Sequence, residues 1–168
     1  AAAMRNELPR VIRPDLLLTD DGFIISELDS VPGGIGLTQW LNQTYAALGD
    51  AVVGGASGMQ EGFASIFGSA SKVHIVVSDE AGSYRPEMAW LASRLGADRF
   101  EVHGGEFDAP ADGEAVYRFF ELFDLPQVRG SAALFQKALE KRIRLTPPPR
   151  PIFEEKLLFA LLWNRNLR

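Results

Sequence analysis

Cysteine is absent from this 168-residue chain. That excludes disulfides, thiolate metal centres and cysteine nucleophiles, and nothing points to an oxidising compartment. Histidine is scarce. His74 and His103 sit in unrelated segments without ligand spacing, so a histidine-based zinc site is not expected. No apolar run approaches the ~20 residues that a bilayer crossing demands, and no signal peptide is visible, so the reading is a cytoplasmic chain without a membrane span. Clustered positive charge is also lacking: 17 basic residues are scattered among 22 acidic ones for a net charge of -5. Nucleic acid, which needs Lys and Arg gathered against phosphate, is therefore not an expected partner. The one basic run, Lys137, Lys141, Arg142 and Arg144, reads as a solvated helix face.

What remains is an ordinary globular balance, 46% hydrophobic and 23% charged, at a length that supports one core. The chain reads as a single domain over 1–168. Ala1-Ala2-Ala3 before Met4 reads as a tag remnant, and Lys156 to Arg168 stops inside a helical pattern without a cap, so a fragment of a longer protein is expected. Exposed apolar surface on that last helix would favour a dimer of the fragment.

The pattern along the chain is α/β. Asp15–Thr19 and Phe23–Leu28 are apolar runs joined by Asp20-Asp21-Gly22, a hairpin signal. Helices are expected over Thr38–Leu48, Met59–Phe67, Arg85–Leu95, Ser131–Lys141 (with Ser131 as cap) and Pro151–Asn164. Val73–Val77 is a continuous β-branched run, the pattern of a strand buried on both faces, and Phe100–His103 is the next strand. That order makes a βαβ unit and a parallel sheet. Ala115–Phe120 is a further strand, and Thr146–Pro151 an extended proline-fixed connector. The expected fold is a three-layer α/β/α domain with a mostly parallel, Rossmann-like sheet and an N-terminal β-hairpin. His74 reads as a core histidine, His103 as a strand-end residue, and Trp40, Trp90 and Trp163 as packing residues.

The chemistry-bearing stretch is Arg13 to Gly36. Glu27 and Asp29 close the second strand of the hairpin, and residues two apart on a strand project to the same side. Paired carboxylates there suit Mg²⁺, which takes oxygen ligands and keeps several waters. The Pro32-Gly33-Gly34-Ile35-Gly36 loop before a helix can offer amides to an anion. The dinucleotide fingerprint and the P-loop Lys-Ser/Thr are both missing. Structural readings stand beside these: solvated acids at a strand end, an ordinary turn, and arginines paired with nearby acids such as Asp15 or Glu121.

The order Arg13-Pro14-Asp15, apolar strand, Asp-Asp-Gly turn, Ile25-Ser26-Glu27-Leu28-Asp29-Ser30 and Gly-Gly loop resembles the eukaryotic-type glutathione synthetases and bacterial glutathionylspermidine synthetase-like proteins of the ATP-grasp ligases. The resemblance spans roughly residues 10 to 165 and is carried by Arg13 to Gly36. It implies the substrate-binding, pre-ATP-grasp portion of an ATP-dependent carboxylate–amine ligase that uses Mg²⁺ and ATP in a full-length parent and is inactive alone. It further implies Glu27 and Asp29 as metal ligands, and Arg13, Ser30, Gly33, Gly34 and Arg118 as contacts to an amino-acid or peptide-like substrate, with Ser83 and Glu87 near polar substrate positions. The remaining ATP-grasp portion would be the partner. The chain departs from that pattern in three ways. Asp29 stands for an asparagine, the glycine loop is shorter, and the lysine-bearing strand pair that clamps ATP is not recognisable. Two other readings stay open: a non-catalytic ligand-binding or interaction domain, and a small Rossmann-like nucleotide-binding domain.

Overall fold

The computed structural model describes residues 7–162 and 164–167. The expectations for Ala1–Ala3 and Trp163 lie outside the described residues. The chain opens with the hairpin, β1 (Arg13–Thr19) and β2 (Gly22–Asp29), paired antiparallel around Asp20-Asp21. The register shifts between Asp15 and Leu16, where Ser26 bulges. Beyond that bulge Arg13 faces Asp29 and Asp15 faces Glu27. Among the described residues no helix covers the hairpin's outer half, and Leu16, Leu17, Leu18, Phe23, Ile24 and Ile25 are all about half-exposed or more.

Helices α1 (Ile35–Ala47) and α2 (Gly58–Ser65) lead into β3 (Val73–Val77), α3 (Arg85–Leu95) and β4 (Phe100–His103). Then follow β5 (Ala115–Phe119), α4 (Ser131–Leu139), β6 (Arg144–Thr146) and α5 (Leu157–Leu162). Four parallel strands form one sheet in the order β4-β3-β5-β6. Alternate residues feed two cores. Val73, Ile75, Val77, Tyr117 and Phe119 pack beneath α1, α2 and α3 through Ile35, Phe63, Met88 and Leu91. Val76, Val116 and Leu145 pack beneath α4 through Leu134 and Ala138. β3 and β5 are buried at every position, the consequence of a sheet covered on both sides. The three-layer α/β/α arrangement with its hairpin is therefore as the sequence pattern predicts.

Four local expectations are corrected. Strand β6 extends the sheet where a connector is expected at Thr146, because Arg144–Thr146 finds an open edge on β5. Ser131 does not cap α4: Gly130 occupies the cap position, without a side-chain bond. The apolar stretch expected to be one helix over Pro151–Asn164 divides into a 3₁₀ turn, Pro151–Phe153, and the short α5. Trp40 is half-exposed rather than packed. No helix among the described residues is long and apolar enough to cross a membrane.

Candidate functional site

Strand β3 sits mid-sheet. Helix α3 takes the chain to β4 on one side, and the next strand, β5, lies on the other. Connections that leave in opposite directions open a crevice at the carboxyl ends of β3 and β5, where open α/β sheets bind ligands. A cavity of about 320 Å³ occupies that point. Glu80 and Tyr84 follow β3, Phe120, Glu121 and Asp124 follow β5, and Arg13, Glu27, Asp29 and Gly33 close the cavity from the hairpin side. The two strand-end loops are tied together: Ser78 Oγ donates to Asp124 Oδ2 at 3.0 Å and accepts the Ala81 amide at 3.1 Å. The same Asp124 oxygen accepts the Glu121 amide at 3.1 Å.

The hairpin end and the glycine turn meet through Arg13. Its Nε donates to Asp15 at 2.8 Å, one terminal nitrogen donates to the Gly33 carbonyl at 3.2 Å, and the other lies 3.3 Å from Asp29 Oδ2. Asp29 Oδ1 accepts the Val31 amide at 2.7 Å, which turns the chain into the glycine loop. Glu27 pairs at its outer oxygen with the exposed Lys156, 3.1 Å away. Glu27 and Asp29 thus reach the same cavity, as their i, i+2 spacing predicts.

Negative charge dominates the cleft. Glu27, Asp29, Glu80, Glu121 and Asp124 line it, and Arg13 is the single basic residue among its lining residues. Burial, together with the charges of Asp29, Glu154 and Asp124, pushes the Glu121 carboxyl up to about 7. Sequence reasoning used Glu121 only as a partner for an arginine and did not notice Glu80. The usable signal was positional, since an acid just beyond a buried strand of a parallel sheet falls at the ligand-binding edge.

Several expected contacts are not there. Arg118 is fully buried and cannot meet a substrate. Its guanidinium donates to the carbonyls of Pro147, Phe120 and Pro148 at 3.0, 2.5 and 3.2 Å and to the Glu154 carboxylate. Alternation on β5 turns this side chain away from the cleft and into the proline connector. Ser30 is buried outside the cavity lining. Gly34 is also outside it, and the amides of Gly34 and Leu37 donate to the two carboxylate oxygens of Glu87 at 2.7 and 3.2 Å. The anion expected at the start of α1 is supplied by the protein's own α3. Ser83 is exposed and does not line the cleft either.

The two histidines are not unrelated. Parallel pairing of β3 with β4 sets His74 opposite Glu101 and Val76 opposite His103, and the two rings meet at 2.9 Å. A larger cavity, about 720 Å³, lies at the opposite edge of the sheet, lined by Arg10, Lys141, Arg142 and Arg144 among others. Its arginines are already engaged with Ile66 and Phe67 carbonyls and with Asp112 and Glu140.

As a cofactor site the cleft offers carboxylate oxygens, the donor type that Mg²⁺ takes, but Asp29 is engaged by the Val31 amide and Arg13, and Glu27 by Lys156. It does not fit ATP. The helix N-terminus that would take phosphate holds Glu87, and Arg13 is held among Asp15, Asp29 and Gly33. Neither the protein-family models nor the curated proteins and solved structures compared with this chain give a match.

Proposed function

We propose that this domain is the substrate-binding part of an ATP-dependent carboxylate–amine ligase of the glutathione synthetase-like type. Its cleft at the β3/β5 edge would hold a divalent cation together with a small polar, amine-bearing substrate. One observation supports this reading: Glu27, Asp29 and Glu121 line a single cavity at the sheet's switch point, with Arg13 beside them. A carboxylate pushed up to about 7 by burial, and further by neighbouring negative charge, is a group for which a bound cation brings relief. Mg²⁺, when bound, neutralises charge on a transferring phosphoryl group. The chain's own residues hold and orient. Glu27 and Asp29 offer the metal oxygens, Glu121 and Glu80 attract an ammonium group, and Arg13 fixes Asp29 and the Gly33 turn at the rim. Arginine is suited to that because its planar fork bonds two acceptors at once.

The second reading, a ligand-binding domain without catalysis, draws on Glu87 filling the helix N-terminus and on Arg118 being sealed. The ligase reading needs the cleft to bind a cation. Thermal unfolding with millimolar Mg²⁺ against equal ionic strength of NaCl tests that step. Wild type is expected to gain several degrees at pH 8, and Glu27→Gln with Asp29→Asn to gain none. Equal shifts in both proteins would remove the cleft as the cation site. A parent chain carrying Glu27→Gln then separates the readings, since a ligase loses its ATP-dependent phosphate release whereas a binding domain keeps its ligand affinity.

A further inference from the structure

On the sheet face covered by α4, and outside the lining of the carboxylate cleft, three side chains from two neighbouring strands converge. Parallel register sets His74 directly opposite Glu101, and alternation returns His103 to the same face two residues later. His74 Nδ1 lies 2.9 Å from His103 Nε2, and that nitrogen lies 3.9 Å from Glu101 Oε2. The three ligand atoms all fall within 4.8 Å of one another. Bonds of 2.0–2.1 Å at tetrahedral angles put ligand atoms about 3.3 Å apart. The two rings would separate by a few tenths of an ångström, and the half-exposed Glu101 side chain would swing in by more, from 3.9 Å off one ring nitrogen and no more than 4.8 Å off the other.

We propose that His74, His103 and Glu101 form a site for one divalent transition-metal ion, with zinc as the fitting chemistry and a fourth position open to water.

The surroundings fix the ligands in the form a metal needs. His74 is buried, and its other nitrogen lies 2.8 Å from Glu114 Oε2. An ionised carboxylate only accepts, so that nitrogen carries the hydrogen and Nδ1 turns a lone pair toward His103. Glu114 is itself held by the Ala111 amide at 2.6 Å. A carboxylate behind a histidine in this way orients metal-bound imidazoles and raises their basicity. The His103 ring is stacked on Phe107 with centroids 3.9 Å apart, which fixes its plane. In the metal-free chain His103 Nε2–H donates to His74 Nδ1, and the metal would take the other His103 tautomer, with its hydrogen on Nδ1 and the Nε2 lone pair free. Lys72, 3.1 Å from Glu101 Oε2, is the competing cation and swings into solvent when the metal enters.

Two imidazoles and one carboxylate select for zinc and its transition-metal neighbours over Mg²⁺ and Ca²⁺, which prefer all-oxygen shells. Three protein ligands with one free position is the catalytic type of zinc site, not the closed structural type. The bland alternative is a core histidine satisfied by Glu114, with His103 as an ordinary neighbour. It predicts no metal affinity beyond that of any surface histidine.

The test uses the 168-residue chain, stripped with chelator and titrated with Zn²⁺ against a chromophoric competitor. One ion per chain with submicromolar affinity is expected. Glu101→Gln and His103→Asn, both at solvent-reachable positions, should each weaken binding at least tenfold without changing the circular dichroism. Glu114→Gln, a positioning residue, should weaken it about 10- to 100-fold and shift the visible spectrum of the Co²⁺-loaded protein. Glu27→Gln with Asp29→Asn should leave Zn²⁺ affinity unchanged, which keeps this site distinct from the Mg²⁺ cleft. Absence of stoichiometric zinc binding overturns the proposal. So does binding that survives His103→Asn, or binding that disappears with the cleft variants instead.

Discussion

The carboxylate of Glu87 on α3 accepts the amide of Gly34 at 2.7 Å, and its second oxygen accepts that of Leu37 at 3.2 Å. Gly34 enters α1 with φ 82°, a left-handed conformation that glycine adopts without cost and in which its own side chain can supply no cap. Two of the helix's orphan amides are therefore met from another helix, by a charge that also suits the positive end of the helix dipole.

Glu87→Ala is expected to destabilise the domain by about 1–2 kcal/mol, the scale of a lost cap whose partner amides become partly buried without acceptors. Glu87→Gln keeps an acceptor and should recover part of that. Urea denaturation of the two variants checks the order. If the pair unfold at the wild-type midpoint, Glu87 does not hold α1.

Arg118 and Glu154 tie β5 to the proline connector from inside the protein. Glu154 also accepts the Leu122 amide at 2.7 Å, so one carboxylate fastens both the strand and the turn that follows it. Removing one partner leaves the other charge buried, and Glu154→Gln is expected to lower stability by about 3–5 kcal/mol. Arg118→Met with Glu154→Gln together should cost less than Glu154→Gln alone, because no uncompensated charge remains. Chemical unfolding of the single and double variants measures this. A double variant less stable than the single one would show that the arginine's bonds to the Pro147 and Pro148 carbonyls matter more than its charge.

Glu121 makes the acidic cleft sensitive to pH. Its carboxyl ionises at about 7 in the folded chain and from 4.5 upward when unfolded. Between those values the folded state holds the proton more tightly. The stability from this group is therefore fully present below about 4.5 and is lost as pH rises from there through about 7. Glu121→Gln keeps the acceptor that starts the 3₁₀ turn and removes the charge. It should raise stability at pH 8 by on the order of 1 kcal/mol, allowing for solvent screening of a partly exposed group, and change little at pH 5. Parallel urea curves at the two pH values test it, and a variant that is less stable than wild type at pH 8 contradicts the charge argument.

The sheet and its helices were legible because their signals are local and redundant. Val73–Val77 and Ala115–Phe119 are apolar at almost every position, and Gly96 stops α3 where its periodicity ends. The rim of the cleft was legible too, since the hairpin turn and the i, i+2 spacing of Glu27 and Asp29 both sit within one short segment. What failed depended on distant pairing. Nothing near Gly34 announces that Glu87, 53 residues on, will occupy its amide. Arg118 reads as a functional arginine until the direction of its side chain on β5 is known. His74 and His103 look unrelated because their relation is a strand register, a property of two segments at once.

A glycine contrast separates close packing from backbone freedom. A Cβ on Gly130 would come 1.9 Å from the Phe107 carbonyl oxygen, and the Gly130 amide donates to the Gly105 carbonyl at 2.9 Å. The loop that stacks Phe107 on His103 thus rests directly on the start of α4, and backbone cannot yield as a flexible side chain does. Gly130→Ala must displace that loop, with an expected loss of about 3 kcal/mol or more, at the upper end of overpacking effects. Gly62, exposed in the middle of α2, has nothing within 4 Å of the same hypothetical atom. Gly62→Ala should instead stabilise by about 0.5–1 kcal/mol, because alanine restricts the unfolded chain and favours helix. Thermal and urea unfolding of the two variants must move in opposite directions, and a neutral Gly130→Ala would mean that the 104–107 loop is not seated on α4.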